Sequence, residues 1–424
     1  MYQSPRGTAD ILPAEQAYWH YIREKAEAVT ARYGYGRLDT PTFEDTGLFT
    51  RGVGEGTDIV EKEMYTFTDK GGSSLTLRPE GTASVCRAYL EHGMHNLSQP
   101  VKLYYQTPVF RYERPQAGRL REHHQFGCEA IGEADAAVDA EVIEMAWQFF
   151  QALGLEKLSL ILNSIGCRGC RPGYLEILKE YYTPHAGELC RDCRTRLVRN
   201  PLRLLDCKQA TCQGLAEAAP KSADNLCPDC AGHYAQLRRY LDLLGIGYRL
   251  SHRLVRGLDY YTRTVFEIEP EQARGQSTLG GGGRYDDLIE MLGGRPTPAI
   301  GFACGLERIV LNLKKQGICV PDLPAPRIYI AHRGGLTAEA AIKTAAALRQ
   351  AGIGAVAGTG GRSLKAQLRQ AGAQGAAFTV IIGEDELARG AATVKSMADG
   401  GQRDVTLAEL AGYLGSNPDK HAAH

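Results

Sequence analysis

The sequence predicts an α+β protein: an antiparallel sheet core with helices, a small helical cysteine-rich insertion, and a C-terminal α/β domain. Three observations lead there. Up to residue 320, strand-like and helix-like runs alternate in no strict strand–helix–strand order, which favours antiparallel pairing. Eight of the twelve cysteines fall between Cys167 and Cys230, in a stretch poor in β-branched runs. Three prolines stand within the seven residues Val320–Pro326, and a fresh strand–helix alternation follows them. The expected boundaries are a core domain at 1–320, carrying the insertion at about 167–245, a linker at 321–326 and an α/β domain at 327–424.

Taken in order, the first element is a helix over about Ala14–Tyr33. Tyr18, Ile22, Ala26, Val29 and Tyr33 recur at spacings of four and three, with Pro13 at its start and Gly34 at its end. Strands are expected at Leu75–Leu77, Lys102–Tyr105, Leu158–Leu162 and Tyr260–Ile268, and helices at Thr82–His92 and Asp139–Leu153. Gly280–Gly283 reads as a turn, and Gly301–Arg308 as a glycine-bounded turn entering a helix at Ile309–Leu313. Beyond the linker, strands at Arg327–His332 and Phe378–Ile382 alternate with helices at Thr337–Ala351 and Ser363–Ala371.

Composition excludes several classes of function. The 424 residues carry 49 Lys+Arg against 49 Asp+Glu, so there is no net basic field, and any nucleic-acid contact must come from local clusters. A 43% hydrophobic and 23% charged chain is ordinary globular material. No run of about 18 apolar residues marks a membrane span, and the first residues lack a signal-peptide core. A cytoplasmic location is expected. In a reducing compartment, clustered cysteines point to metal or redox chemistry before disulfides.

Three polar segments are candidates for chemistry. Arg111–Glu129 holds four arginines within eleven residues, broken by Pro115 and Gly118. It reads as a long hairpin whose guanidinium forks suit phosphate oxygens, or else as a solvated basic loop. Arg256 stands among apolar residues beside Gly257, as a charge in a pocket or an edge-strand arginine. Arg308 falls in the first turn of a helix, where anions are favoured. The glycine tract at 280 lacks the Lys-Ser/Thr that a phosphate loop requires.

Together these segments resemble the histidyl-tRNA synthetases, class II aminoacyl-tRNA synthetases, over nearly the whole chain. Leu38-Asp39-Thr40-Pro41-Thr42-Phe43-Glu44 is similar to class II motif 1, Arg111-Tyr112-Glu113 to motif 2, and Gly301–Arg308 to motif 3. Leu77-Arg78-Pro79-Glu80-Gly81-Thr82 and Leu254–Tyr261 look like the histidine-specific signatures of that family, and no class I HIGH or KMSKS segment occurs. The resemblance implies ATP-dependent conversion of L-histidine to histidyl-adenylate, then transfer to the 3′ end of histidine tRNA. Arg256 and Arg111 would be the catalytic arginines, with ATP held by Arg111, Glu113 and Arg308. Histidine would be bound by Glu80, Gly81, Thr82, Gln125, Glu129, Tyr260 and Tyr261, and the tRNA acceptor end by Gln116, Arg119 and Arg121. The alternative for Glu129 is a paired structural carboxylate. The family also implies Mg2+ on the phosphates and a homodimer through motif 1, with no membrane and no DNA partner. The rival from the same fold is a regulatory subunit of ATP phosphoribosyltransferase; such paralogues lack the C-terminal domain and parts of the motif set. A cysteine-rich nucleic-acid-binding or redox protein leaves Arg256 and the Glu80–Thr82 segment unexplained.

The cysteines form three CxxC pairs, Cys167/Cys170, Cys190/Cys193 and Cys227/Cys230. Two such knuckles complete a tetrahedral zinc site. Cys190/Cys193 and Cys227/Cys230 share the context Leu-Cys-x-Asp-Cys, so these four are joined as structural zinc ligands. The gap between Cys170 and Cys190 is closer to zinc-ribbon spacing, and free thiols are the remaining alternative.

Overall fold

A computed structural model describes residues 2–54, 57–115, 119–271, 278–323 and 327–416. They form two compact units, Met1–Pro321 and Asp322–His424. Among the described residues, no helix is long and apolar enough to cross a membrane.

The first unit is built on an eight-stranded sheet. Its order is Gly36–Arg37, Val101–Phe110, Glu122–Ile131, Ala299–Gly305, Gly280–Arg284, Thr262–Pro270, Leu158–Ser164 and Tyr248–Leu250. All neighbours pair antiparallel except the two short edge strands. One face packs on the long helices Gln16–Arg32, Ala136–Ala152 and Pro228–Leu243, whose Ile22, Ala26, Phe149, Phe150, Leu237 and Leu241 are buried with Phe126, Cys128, Phe266 and Phe302 of the strands. The Ala136–Ala152 helix starts at Asp135, whose side chain accepts from the amide of Ala137 at 2.8 Å. Because side chains alternate along a strand, Gln125, Gly127 and Glu129 point to the opposite face. That face carries the site. A three-stranded sheet, Phe43–Asp45, Ser74–Leu77 and Tyr65–Thr68, accompanies it.

Two turns expected from glycine content are strands. Gly280–Arg284 is a buried central strand, and Ala299–Gly305 beside it runs directly into the Leu306–Lys315 helix. Their backbones are too close for side chains: a Cβ on Gly282 would lie 2.0 Å from the carbonyl oxygen of Gly301. Glycine there serves packing between strands, not chain reversal.

The cysteine-rich segment is mostly helical, with Arg171–Tyr182, Arg191–Arg199, Ala210–Ala218 and Pro228–Leu243. The last of these belongs to the main core through Tyr234, Leu237 and Leu241. The second unit has a five-stranded sheet ordered Ala355–Ala357, Ile328–His332, Phe378–Ile382, Ala391–Ser396 and Gln402–Thr406. The first three are parallel and the last two extend it antiparallel. Leu336–Gln350 and Leu364–Ala373 are helices, the latter capped by Ser363.

Candidate active site

The open face of the large sheet lines a cavity of about 640 Å³. Glu80, Thr82, Arg111, Glu113, Arg119, Gln125, Glu129, Arg256, Tyr260, Tyr261 and Arg308 all line it. They come from the start of the Thr82–Glu91 helix, the strand Glu122–Ile131, the segment between it and Val101–Phe110, a loop after residue 251 and the start of the Leu306–Lys315 helix.

At the floor lies Glu129, 1% exposed. Thr82 Oγ1 donates to its Oε1 at 2.7 Å, Tyr105 to the same oxygen at 3.4 Å, and Tyr285 to Oε2 at 2.6 Å. A carboxylate offers about four lone-pair sites, so one acceptor position remains. Burial pushes the carboxyl up to about 8; the hydroxyls of Tyr285 and Thr82 pull it down, and the Glu80 charge adds to the rise. Room for this group depends on Gly301 of the neighbouring strand, where a Cβ would sit 1.7 Å from Glu129 Oε2.

Glu80 is also buried. Its two oxygens accept from the backbone amides of Thr82 at 2.7 Å and Ala83 at 2.8 Å, and Tyr260 donates to it at 3.4 Å. Burial raises its pKa and these amide bonds oppose the rise. Gly81 stands between Glu80 and Thr82, with the ring of Tyr105 packed against it. Gln125 Oε1 is buried with no hydrogen-bond partner among the described residues.

The arginines stand around this floor. Arg111 is held by its Nε, which donates to the carbonyl of Pro79 at 2.7 Å. Arg119 pairs with Glu113 at 2.9 Å. Arg256 is paired with Glu267 and lies 5.8 Å over the ring of Tyr261; Thr278 donates to the other Glu267 oxygen at 3.1 Å. Burial alone would lower the Arg256 pKa, but the Glu267 carboxylate outweighs it and the guanidinium stays charged. Arg308 donates to the carbonyl of Thr278 at 3.1 Å. Burial lowers its pKa, and the positive charges of Arg119 and Arg111 lower it further. His123 is held down to about 3 by burial and by Arg111 and Arg308, so its imidazole is neutral. The site therefore gathers several guanidinium forks among carboxylates, and such forks suit an anion with several phosphate groups.

Arg121 is placed differently from the other hairpin residues. It lies 3.7 Å over the ring of Tyr112 and donates to the carbonyls of Glu113 and Arg6, outside the cavity lining. Gln116 lies outside the described residues. Sequence reading missed Tyr105, Tyr285, Glu267, Thr278 and His123. Strand alternation could have pointed to Tyr105, two residues from Leu103, the register partner of Glu129; nothing local singles out Tyr285.

The cysteine pairing needs correction. Cys227 and Cys230 gather with Cys167 and Cys170, while Cys190 and Cys193 gather with Cys207 and Cys212. The shared Leu-Cys-x-Asp-Cys context reflects two similar helix starts, at Arg191 and Pro228, rather than one joint site. Cys207 and Cys212 escaped notice because they are five apart and form no CxxC.

A family model for histidyl-tRNA synthetase matches residues 7–168 and 203–309, and an anticodon-binding-domain model matches residues 328–417. The chain belongs to the histidyl-tRNA synthetase family. It is 61% identical to a histidine–tRNA ligase of Dehalococcoides mccartyi, over 97% of this chain and 98% of that one. A histidine–tRNA ligase of Desulforamulus reducens is 52% identical over 97% of this chain and 98% of its own length. Among solved structures, apo histidyl-tRNA synthetase from S. aureus superposes with a TM-score of 0.82 at 40% identity, covering 97% of this chain and 99% of that one.

Proposed function

We propose that the chain is a histidine–tRNA ligase, forming histidyl-adenylate from L-histidine and ATP and passing the histidyl group to the 3′ end of histidine tRNA. The observation that carries this reading is the single cavity that joins a buried, hydroxyl-ringed Glu129 to the cationic group Arg111, Arg256 and Arg308. Its relatives support it over the regulatory-subunit alternative, because histidine–tRNA ligases match at high identity through the C-terminal domain.

The remaining acceptor position of Glu129 takes an imidazole N–H, and the Tyr261 hydroxyl takes the other ring nitrogen. Glu80, Thr82 and Gln125 serve the α-amino group, with Tyr260 fixing Glu80 and Gly81 leaving room for Tyr105. An apolar side chain would leave these polar groups unpaired, which is how the pocket rejects it. A histidine carboxylate oxygen attacks the α-phosphorus in line, that P–O bond forms, and the bond to pyrophosphate breaks. Arg256 and Arg111 stabilise the charge that grows on the α-phosphate oxygens; Arg308 and Glu113 hold the outer phosphates and the adenine. No side-chain nucleophile is needed.

Magnesium takes oxygen donors, one or two carboxylates beside phosphate oxygens. Glu267 and Glu269, both lining the cavity, fit that donor set. Such an ion would neutralise charge between the phosphates. Arg119 and Arg121, with Gln116, would meet the tRNA acceptor end, and the 327–424 domain the anticodon. A homodimer is supported by the surface near motif 1, where Phe43 and Phe67 are exposed and stack edge to face with ring centres 6.2 Å apart. A cytoplasmic setting follows from this reading.

The test is histidine-dependent exchange of labelled pyrophosphate into ATP, followed by charging of purified histidine tRNA. Activity in both supports the ligase; absence of exchange with folded protein removes it.

A further inference from the structure

The insertion carries eight thiols that the reaction does not use. Within each quartet, Cys167/Cys170/Cys227/Cys230 and Cys190/Cys193/Cys207/Cys212, all four sulfurs lie within 4.8 Å of one another. Cys167 and Cys170 are 3.8 Å apart; Cys167–Cys227, Cys170–Cys230 and Cys190–Cys207 are each 3.9 Å apart. A disulfide would bring two sulfurs to about 2.05 Å. Four sulfurs at about 2.3 Å around a tetrahedral zinc stand about 3.8 Å from one another. The observed spacing is the second.

The backbone around the sulfurs favours thiolates. The amides of Cys167 and Gly169 donate to Cys170 Sγ and Cys167 Sγ at 3.3 and 3.4 Å, and the amide of Cys190 donates to Cys212 Sγ at 3.3 Å. Cys170, Cys190 and Cys227 stand at the N-terminal ends of the helices Arg171–Tyr182, Arg191–Arg199 and Pro228–Leu243, where the helix dipole stabilises negative sulfur. The Arg191–Arg199 helix needs such support, since Cys193 is its one buried residue. The histidyl-tRNA synthetase family model leaves out residues 169–202, which hold this helix and three of the eight thiols.

We propose that the insertion binds two structural zinc ions, one in each cysteine quartet, and that these fix the loop carrying Arg256 and Tyr261. The tethers lie next to the quartets. Arg171, beside Cys170, donates to the carbonyl of Tyr261. Between Cys193 and Cys207, Asn200 donates to the Asp259 carboxylate at 2.8 Å and Arg203 to the carbonyl of Arg256 at 3.2 Å. Leu189, Cys193, Leu204, Cys207 and Cys212 share one buried cluster with Leu254, Val255, Tyr260 and Tyr261, so displacement of the insertion reaches the loop through direct packing. Zinc supplies the folding energy that the thin apolar content of this segment lacks.

Full-length protein purified without chelator is to be analysed for metal content and by zinc X-ray absorption. The expected result is two zinc ions per chain, each with four sulfur neighbours at about 2.3 Å. Cys167→Ser/Cys227→Ser and Cys190→Ser/Cys207→Ser should each lose one of the two. One zinc or none in the unaltered protein, or nitrogen and oxygen neighbours, overturns the assignment; the absorption measurement decides this even where a variant fails to fold. Zinc count is independent of the ligase reading. The positioning role rests on that reading and has its own readout: stripping zinc should raise the histidine KM in pyrophosphate exchange about ten-fold or more, with a much smaller change for ATP. Equal changes in both would refute positioning.

Discussion

Glu129→Gln separates the two demands placed on this carboxylate. The substitution keeps shape and removes ionisation. In the folded protein burial pushes the group from 4.5 to about 8, while in the unfolded chain it titrates at about 4.3. Between those values the folded state holds a proton that the unfolded state releases. The wild-type stability from this group is therefore full below about pH 4.3, falls as pH rises, and is lost once pH passes about 8. At about 1.4 kcal/mol per pH unit the whole window corresponds to about 5 kcal/mol. A glutamine at 129 has no such dependence. Its carboxamide oxygen can accept from Thr82 while its amino group donates to Tyr285, so no polar atom need be orphaned.

The assay is urea unfolding without substrates from pH 5 to 9. It is followed by tryptophan fluorescence, since both tryptophans, Trp19 and Trp147, lie in the first unit. The stability of Glu129→Gln minus wild type should grow with pH up to about 8 and then level off. Loss of the carboxyl acceptor should also raise the histidine KM about 5- to 30-fold, from about 1–2 kcal/mol of weaker hydrogen bonding, with little change for ATP. Parallel pH profiles of the two proteins would refute the burial argument, and equal KM effects would refute the histidine contact.

Arg256→Lys and Arg256→Ala should both suppress pyrophosphate exchange while equilibrium binding of ATP and histidine persists, because the planar fork acts mainly in the transition state; near wild-type exchange would disprove it. Arg284 is fully buried, with Nε 2.6 Å from Asp139 and Nη1 3.0 Å from Asp286. Arg284→Leu strands those carboxylates and should cost about 3–5 kcal/mol in chemical unfolding; a loss below about 1 kcal/mol would mean the pair is replaceable. Arg121→Ala should slow transfer to tRNA more than it slows pyrophosphate exchange, and equal impairment would assign Arg121 to holding the hairpin through Tyr112 and Arg6.

Much of the local structure was legible because its signals are local. The Gln16–Arg32 helix follows from four-and-three spacing, and the expected hairpin corresponds to the antiparallel pair Val101–Phe110 and Glu122–Ile131. The glycine strands were misread for a physical reason. Propensity treats Gly280–Gly283 as a turn, but a residue's preference is weak beside a tertiary need for absent side chains. Long-range partners were illegible for the same reason. Tyr285 meets Glu129 across 156 positions of sequence, and only the register of the sheet brings them together.

The cysteines make this point at the scale of a domain. Two CxxC pairs with a shared context suggest one site, and sequence gives no means of seeing that Cys167 and Cys227 face each other across 60 residues. The helices Arg171–Tyr182 and Pro228–Leu243 decide it, because each presents a cysteine at its start. The same helices carry the insertion back to the strand face, where Arg171 and Arg203 hold the backbone of Tyr261 and Arg256. The loop that bears these two side chains has no strand of its own between Ser251 and Tyr261. Its conformation is thus set from outside, by the insertion on one side and by the glycine strand on the other. A Cβ at Gly281 would stand 2.8 Å from the Arg256 guanidinium, so the arginine reaches the cavity only because that strand carries no side chain there.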